Sequence, residues 1–358
     1  MTALLNNCIP FVFLAFFFQS SEVFYTSSKL KSVELISVED AAYSIIDDDD
    51  AVVSIEEKQD QNGIIYWYRR LETPVCLTGT CKLIDVGIFW DFKGDFFGLE
   101  VYGEDLTKTD HSVFKEEDYN KLISILNDDW SMLREYEFSD LLSEEEVDGV
   151  SGATREELAS EVVDDAVYTT YTLWHLVHLG EKEKLIDLTL SQLNKNDELL
   201  HAIIGAQEES YDYFILDQMI EQKIAFSDKI QLLVVSGITS DKRVFRKKAM
   251  DALKQCNLGD HSIQRTLSGV YEESTIQEKL KILDALTGVA PGDELTDSLI
   301  KDCELYNEWF LIQLLEVLTN GSGYKEQIKA LQDRLVKSEI SEIRELALKI
   351  QIEPAIKP

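Results

Sequence analysis

The stretch with the clearest capacity for chemistry is residues 147–154, in which small residues lead up to a hydroxyl side chain (VDGVSGAT). Gly152 and Ala153 allow a bulky ligand to approach the backbone closely, because neither carries a large side chain. The sequence predicts a helix beginning near Arg155. Thr154 would then lie at a helix start, where exposed N–H groups and the helix dipole stabilise a phosphate. The pattern therefore indicates a site for a phosphate-bearing ligand.

The same stretch also has a purely structural interpretation. Thr154 and Glu157 stand at the spacing of a capping box, with Thr at the N-cap and Glu at the third helical position. Such a cap stabilises a helix without binding any ligand. The physics of the stretch alone favours this interpretation, and a bound ligand is indicated only by a resemblance to a known family.

Residues 148–154 (DGVSGAT) resemble the D-x-x-S/T-G-A-T/S motif of the FMN-binding domain family. This family includes the flavin-bearing subunits of the sodium-pumping NADH:quinone reductase and of the Rnf complex. The resemblance covers residues 60–180, about a third of the chain, and every fixed position of the motif is met. The sequence departs from the family at Arg155, where many members carry a small or apolar residue.

The resemblance implies a covalent cofactor on Thr154. In the family, the last Thr or Ser of the motif receives FMN through a phosphoester, added by a flavin transferase outside the cytoplasm. Around Thr154, the resemblance implies a cofactor site made of Ser151, Gly152, Ala153 and Asp148. The expected function is extracytoplasmic electron transfer with an unidentified redox protein as partner, and no catalytic residue is assigned.

The main alternative is a non-catalytic scaffold whose FMN-type domain holds no flavin. A hydrolase finds little support, because the sequence contains no G-x-S-x-G elbow, Walker A loop or H-E-x-x-H motif. Whether the chain is itself an enzyme stays open, although a redox carrier or subunit fits the motif better.

The amino-terminal sequence is typical of export. Residues 9–18 (IPFVFLAFFF) form an apolar run that matches the central region of a signal peptide and is too short to span a bilayer. We therefore predict a signal peptide over residues 1–21 and a periplasmic or cell-envelope location. A short membrane anchor and a buried terminal strand stay open as alternatives.

The charge balance excludes some partners. The chain has 34 Lys and Arg against 67 Asp and Glu, a formal net charge of -33. Nucleic acids and anionic lipid surfaces bind through basic groups, so neither is an expected partner. Membrane association is expected only through a partner or an uncleaved N-terminus. A neutral or basic protein surface suits the chain better, unless the acidic residues serve solubility alone.

Two compositional regions divide the chain. From residue 30 to 150, β-rich runs and turn signals indicate an α+β fold, with hairpins predicted over residues 51–68 and 83–102 and a helix over residues 116–126. We assign residues 30–180 to the FMN-binding domain. Residues 181–353 carry short amphipathic helical patterns and predict an all-α domain of helical repeats, an α-solenoid of HEAT type. A compact helical bundle is the alternative.

Other residues with chemical potential carry weaker signals. Three aromatic residues of predicted strands are candidates to face a flavin ring, although each is more typical of a core: Tyr68, Phe89 and Trp90. His111 has the same status. His175 and His178 lack a third metal ligand, and residues 47–50 (DDDD) lack the spacing of a calcium loop, so no metal site is predicted.

Cys76 and Cys81 bracket a short loop that an oxidising compartment would close. We predict a Cys76–Cys81 disulfide; two reduced, packed thiols are the alternative. Peptide mapping of the exported protein without reductant should recover the two cysteines in one cross-linked peptide. Recovery of both as free thiols would show that the disulfide is absent.

Overall fold

The structure, a computed structural model, describes residues 22–46, 51–75, 82–141, 158–178, 180–303, 307–321 and 326–351. The chain divides into two compact units between Ile186 and Asp187, and the short segment Asn62–Ile64 groups with the second unit. The first unit is built on a sheet and the second is helical. The predicted order of an α+β region followed by an all-α region is confirmed at this level.

The first unit contains a curled antiparallel sheet that forms half a barrel. Its strands are β1 (Val23–Thr26), β2 (Ile36–Ile46), β3 (Val52–Gln59), β4 (Ile65–Thr73), β5 (Ile84–Asp91) and β6 (Phe96–Tyr102). The spatial order is β1-β6-β5-β4-β3-β2, so consecutive strands from β2 to β6 are neighbours and β1 closes the far edge beside β6.

Both predicted hairpins are confirmed. Strand β3 pairs with β4, and β5 pairs with β6. The second hairpin turns at Gly94, whose φ of +75° lies in the left-handed region that favours glycine. A Cβ at this position would also lie 2.9 Å from the carbonyl oxygen of Lys182, so the close approach of the backbone at Lys182 requires glycine as well.

The centre of the sheet is buried on both faces, which explains its near-continuous apolar sequence. Successive residues of β4 from Ile65 to Tyr68 are all buried. Trp67 and Trp90 are fully buried directly opposite one another on β4 and β5. These large side chains form the core against which the helices pack.

The helices near the sheet are α1 (Ser28–Lys31), α2 (Glu116–Leu126), α3 (Val167–His178) and α4 (Lys182–Leu193), and α2 has the predicted bounds. Helix α3 is fixed by hydrogen bonds to its surroundings. The Trp90 indole donates to the carbonyl of Val177 at 3.1 Å, and the Trp174 indole donates to the carbonyl of Asp128 at 2.9 Å. The first bond joins α3 to β5, and the second joins it to the chain after α2.

The predicted helix beginning near Arg155 needs correction. Leu158 lies in a short 3₁₀ turn, and residues 159–166 contain turns and no helix. Asp165 has a φ of +58°, and the N–H of Val163 donates to the side chain of Thr170 at 3.1 Å instead of to a helical carbonyl. Both features are incompatible with a helix at residues 163–165, and the next described α-helix in the chain is α3.

The second unit contains ten further helices in its described part. They are α5 (Asp197–Gly205), α6 (Glu209–Ile220), α7 (Asp228–Ile238), α8 (Arg243–Ala252), α9 (His261–Glu273), α10 (Ile276–Ala285), α11 (Asp293–Asp302), α12 (Glu308–Leu318), α13 (Glu326–Leu335) and α14 (Ser341–Lys349). Among the helices that the structure describes, none combines the length and the apolar character needed to cross a membrane.

These helices follow a regular pattern. Each odd-numbered helix from α5 to α13 begins 31–33 residues after the previous one, and each even-numbered helix from α6 to α14 begins 32–34 residues after the previous one. Helix α8 packs between α6 and α10, and α9 packs between α7 and α11. Helical hairpins of similar length therefore stack in two layers.

A buried ion pair gives a test of the first unit. Glu181 pairs with Arg69, and their side chains are only 1% and 15% exposed. We expect Glu181→Gln to destabilise this unit by about 3–5 kcal/mol, because it leaves Arg69 buried without its carboxylate. Urea unfolding followed by tryptophan fluorescence measures the loss, since four of the five tryptophans belong to this unit.

The matched control is Glu104→Gln, in the same unit. Its pair with Lys82 has side chains 71% and 61% exposed, so its loss should cost less than about 1 kcal/mol. Equal effects of the two substitutions would show that the buried pair does not stabilise the unit.

Candidate functional site

The first unit contains a cavity of about 470 Å³ at one end of the sheet. It lies where β4 ends, β5 begins and β6 ends, and residues 103–111 and the first turn of α3 complete its wall. Its lining includes aromatic, hydroxyl and cationic groups, from Tyr102, Thr107, Lys108, His111, Tyr168 and Thr169. It also includes four carboxylates, from Glu72, Asp85, Glu104 and Asp105.

The loop over residues 103–111 is held against the start of α3. Both the N–H and the hydroxyl of Thr109 donate to the carbonyl of Asp165, at 2.7 and 2.8 Å. Within the loop, the N–H of His111 donates to the carbonyl of Lys108 at 3.0 Å. His111 and Asp165 have φ angles of +65° and +58°, which few non-glycine residues adopt. The tight turns bring His111 into the wall of the cavity.

An ion pair ties the same loop to α2. Lys108 contacts Asp118 at 2.8 Å, and the Asp118 carboxylate also accepts the N–H of Lys115 at 2.9 Å. Burial alone would raise the pKa of Asp118, but the bonds from Lys108 and Lys115 outweigh burial and lower it. The ion pair raises the pKa of Lys108 in turn. Asp118 thus stabilises both the start of α2 and the loop over residues 103–111.

Tyr119 holds the loop over residues 103–111 with two hydrogen bonds. Its hydroxyl accepts the N–H of Leu106 at 3.1 Å and donates to Asp105 at 3.0 Å. Burial, followed by the bond to Asp105, raises the pKa of Tyr119. The ring stacks on Tyr25 with centroids 3.9 Å apart, so β1 also helps to position the loop.

A buried tyrosine network fixes the wall formed by β6. The Tyr102 hydroxyl donates to Glu100 and lies 3.0 Å from the Tyr68 hydroxyl. Burial and these two bonds raise the pKa of Tyr102. The Arg70 guanidinium stacks 3.9 Å from the Tyr102 ring centroid and holds Asp85 at 2.9 and 2.7 Å. Tyr102 therefore presents a rigid aromatic wall.

Glycine at position 87 makes this packing possible. A Cβ there would lie 2.7 Å from the Tyr68 ring and 3.1 Å from the Tyr102 ring. Because real Cβ contacts are longer, the two tyrosines occupy the space that any other residue would need.

The predicted cofactor residues Asp148, Ser151, Gly152, Ala153 and Thr154 lie outside the described residues, as do Cys76 and Cys81. The stretch that contains the motif is flanked by Leu141 and Leu158, which are both fully buried. Residues 47–50 and the predicted signal peptide also lie outside the described residues.

The other aromatic candidates have structural roles. Tyr68, Phe89 and Trp90 are buried in the sheet and do not line the cavity. His111 does line it. Tyr102, Tyr168 and Thr169 also line the cavity, and no sequence pattern predicted them. The cluster of polar residues at 107–111 (TKTDH) was the one available signal, and it pointed only to His111.

His175 and His178 each bond to a backbone carbonyl. His175 Nδ1 lies 2.9 Å from the oxygen of Tyr171, and His178 Nε2 lies 3.0 Å from the oxygen of Leu126. Burial lowers the pKa of both side chains. The His178 bond joins α3 to the end of α2, whereas the His175 bond lies within α3. Within the described ranges, no three His, Cys, Asp or Glu side chains are grouped so that they would hold a metal ion.

Comparison with known proteins finds no matching family model, no similar curated protein and no similar solved structure.

The Lys108–Asp118 pair gives a pH-dependent test of the cavity loop. The folded-state pKa of Asp118 lies below the value of about 3.9 typical of an unfolded chain, so its stabilisation is present above that value and is lost as the pH falls further. We expect Asp118→Asn to cost about 1 kcal/mol at pH 7. The difference from the wild type should shrink below about pH 4.

Guanidinium unfolding at a series of pH values measures this difference. The control is Glu117→Gln, an exposed acidic residue in the same turn of α2. A cost for Asp118→Asn that stays constant with pH would show that the charge of Asp118 does not stabilise the fold.

Proposed function

We propose that the first unit holds one FMN, joined by a phosphoester to Thr154, and that the chain serves electron transfer outside the cytoplasm. A flavin transferase would attach the cofactor, and Ser151, Gly152, Ala153 and Asp148 would form the remainder of the attachment site. When bound, FMN accepts and passes electrons one or two at a time.

The observation that carries the proposal is the cavity at the end of the sheet. Its volume of about 470 Å³ lies within the roughly 300–1,000 Å³ of small-molecule sites. The first turn of α3 lines it, and α3 is the first described α-helix after the motif in the chain. A cavity large enough for a small ligand is thus lined by the first described α-helix after Thr154, which supports the proposal.

One side of the cavity lining offers groups for a planar, phosphorylated ligand, whereas the carboxylates of Glu72, Asp85, Glu104 and Asp105 would keep the phosphate away from the rest of the lining. Tyr102 and Tyr168 provide aromatic surface for a flat ring. Tyr168 is itself supported by Phe138, with ring centroids 4.9 Å apart. Lys108 and His111 provide cationic and hydrogen-bonding groups for a phosphate or for the polar edge of the ring. In this proposal these residues bind and orient the cofactor.

Residues 158–166 contain no α-helix, which removes one of the supports for a phosphate on Thr154. An α-helix starting at Arg155 would end by Leu158, so the helix dipole gives little support to a phosphate on Thr154. The capping-box interpretation weakens for the same reason. The resemblance of the motif and the nearby cavity therefore support the proposal without the dipole.

A covalent bond suits an exported protein. Outside the cytoplasm no pool of free flavin exists to refill an empty site, so a tether prevents loss of the cofactor. A phosphoester leaves the ring unmodified, so the surrounding side chains set its reduction potential. The predicted signal peptide supports this location.

We propose that the helical unit is an α-solenoid that docks a partner. The two-layer packing and the interval of 31–34 residues support this proposal. The interval is shorter than the roughly 40–47 residues typical of HEAT repeats, so a shorter helical-hairpin repeat suits the unit better. The same regularity favours the second candidate function, a scaffold that holds no flavin.

Whether Thr154 carries covalent flavin distinguishes the electron-transfer protein from the scaffold. We expect the wild type, coexpressed with an active flavin transferase, to give a fluorescent band after denaturing electrophoresis. Thr154→Ser keeps the hydroxyl and should stay fluorescent. Thr154→Val keeps the shape but removes the hydroxyl that forms the phosphoester, so the fluorescent band should be lost.

Far-UV circular dichroism of Thr154→Val provides the folding control. A wild type without flavin beside an active transferase would favour the scaffold. A fluorescent Thr154→Val variant would place the flavin on another residue.

A further inference from the structure

Trp130 lies in the loop after α2, and 84% of its side chain is exposed, more than any other large apolar side chain in the described part of the chain. The Arg134 guanidinium approaches its ring centroid to 5.9 Å, close to the limit of about 6 Å for a cation–π contact. Most of the indole surface therefore stays open to solvent. Single exposed apolar residues are normal, so the surroundings of Trp130 decide whether it has a role.

The loop around Trp130 is held on both sides by buried partners. The carbonyl of Asp128 accepts the indole N–H of the fully buried Trp174, and the Asp128 carboxylate accepts the N–H of Trp130 at 2.9 Å. On the other side, Ser131 is buried and its hydroxyl donates to Glu161 at 2.6 Å. The backbone is thus fixed while the indole stays in solvent, so a ligand that stacks there has little loop to order.

Two cavities of the first unit share Trp130 and Asp129 in their walls. The larger, of about 390 Å³, is bounded by the β5–β6 turn and by the residues that directly follow α2. The smaller, of about 220 Å³, is bounded by α3, the start of α4 and Arg134. The larger alone lies within the roughly 300–1,000 Å³ of small-molecule sites. Neither shares a lining residue with the cavity of about 470 Å³ at the end of the sheet.

Charged side chains dominate both walls, and their formal charges balance. The four carboxylates and four cations are Asp91, Asp95, Asp128 and Asp129, and Lys29, Lys93, Arg134 and Lys182. His178 is the remaining titratable group of these walls. Burial lowers its pKa, so it is neutral at pH 7. In a chain with a net charge of -33, a balanced site of this kind stands apart from the rest of the molecule.

Ion pairs within the walls bring the opposite charges together. Lys93 lies 3.2 Å from Asp91 and 2.5 Å from Asp95. Lys182 lies 2.9 Å from Asp95 and 3.0 Å from Asp129. Burial raises the pKa of Asp91, while Lys93 and two backbone N–H groups oppose that shift. Since each carboxylate offers about four lone pairs and each ammonium three N–H groups, these side chains can still bond to a ligand.

We propose that Trp130 is the platform of a binding site for a neutral saccharide. The apolar face of a pyranose ring would stack on the indole, and its hydroxyls would bond to the carboxylates, amide and ammonium groups of the two walls. Hydroxyls both donate and accept, so they match a lining that holds both signs of charge. This inference goes beyond the proposed electron transfer and does not depend on flavin.

The lining selects this ligand class over two others. A charged ligand would leave one sign of the balanced walls without a counter-charge. A protein surface is disfavoured because the cores of protein interfaces are depleted in Lys and Asp, which are the commonest residues of these walls. In the larger cavity Phe96 is the one apolar lining residue besides Trp130.

Isothermal titration calorimetry of the full-length protein tests the proposal. The neutral probes are the β-linked tetrasaccharides of glucose, galactose, mannose and N-acetylglucosamine. Sorbitol is the control ligand, because it has hydroxyls but no ring face. We expect at least one tetrasaccharide to bind at least about tenfold more tightly than sorbitol, since a ring can stack on the indole. The charged tetramers of glucuronic acid and of glucosamine should bind more weakly than the best neutral probe.

Trp130→Ala should weaken the binding of the best tetrasaccharide at least about tenfold. Trp130→Phe keeps an aromatic face and should lose less. The matched control is Trp309→Ala, because Trp309 is a second exposed tryptophan, 59% exposed on α12 of the other unit. It should leave the affinity within about twofold of the wild type. Far-UV circular dichroism checks folding, and Trp130→Phe serves if Trp130→Ala is unfolded.

Three outcomes would overturn the proposal. No tetrasaccharide binding more tightly than sorbitol would show that the site does not recognise a sugar ring. Unchanged binding by Trp130→Ala would show that the saccharide binds elsewhere. A charged tetramer as the tightest ligand would show that the walls select an ion.

The saccharide site and the flavin proposal can fail independently. Trp130→Ala should keep its covalent flavin, and Thr154→Val should keep its affinity for the tetrasaccharide. Loss of saccharide binding in Trp130→Ala, with flavin unchanged from the wild type, is the result we expect.

Discussion

The arrangement of the first unit depends on how α3 is fixed against the sheet. The indole of Trp90 reaches out of β5 and donates to the carbonyl of Val177, near the end of α3, while both residues are buried. At the other end of the helix, Asp165 accepts two bonds from Thr109. These anchors at both ends determine where the first turn of α3 lies, and that turn forms one wall of the cavity. A shift of α3 would therefore change the site even if every lining residue were kept.

Much of this unit could be predicted from sequence, because its central elements carry strong local signals. The β5–β6 hairpin follows from two apolar runs around a glycine turn, and α2 follows from its helical spacing. The edge strand β1 could not be predicted in this way. It pairs with β6 far along the chain, and a hydrogen bond between Ser27 and Leu99 fixes that pairing. Long-range pairing leaves no periodic trace in a single sequence.

The parts of the candidate site also differ in whether a single sequence can predict them. The hydroxyl motif around Thr154 is a contiguous word, so sequence analysis finds it easily. The wall of the cavity is assembled from β6, the loop after it and the first turn of α3, and no local pattern joins Tyr102 to Tyr168. The predicted helix after Arg155 was wrong beyond Leu158, because a capping box describes a favourable start and says nothing about what stops a helix. Further along, the left-handed Asp165 and the bond from Val163 to the side chain of Thr170 are incompatible with a helix at residues 163–165.

The helical unit shows why a repeat can be regular in space and yet lack a repeated word. What recurs is a pair of buried positions, and Ala249 with Met250 fills the same space in the stack as Leu314 with Leu315. Packing constrains volume and burial at these positions more than it constrains residue type. Solvent-facing positions escape this constraint, and a single apolar residue is normal there. Trp309 remains 59% exposed on α12, while the neighbouring Phe310 is buried in the stack. The repeat is therefore defined by its buried positions, and the exposed ones vary without disturbing it.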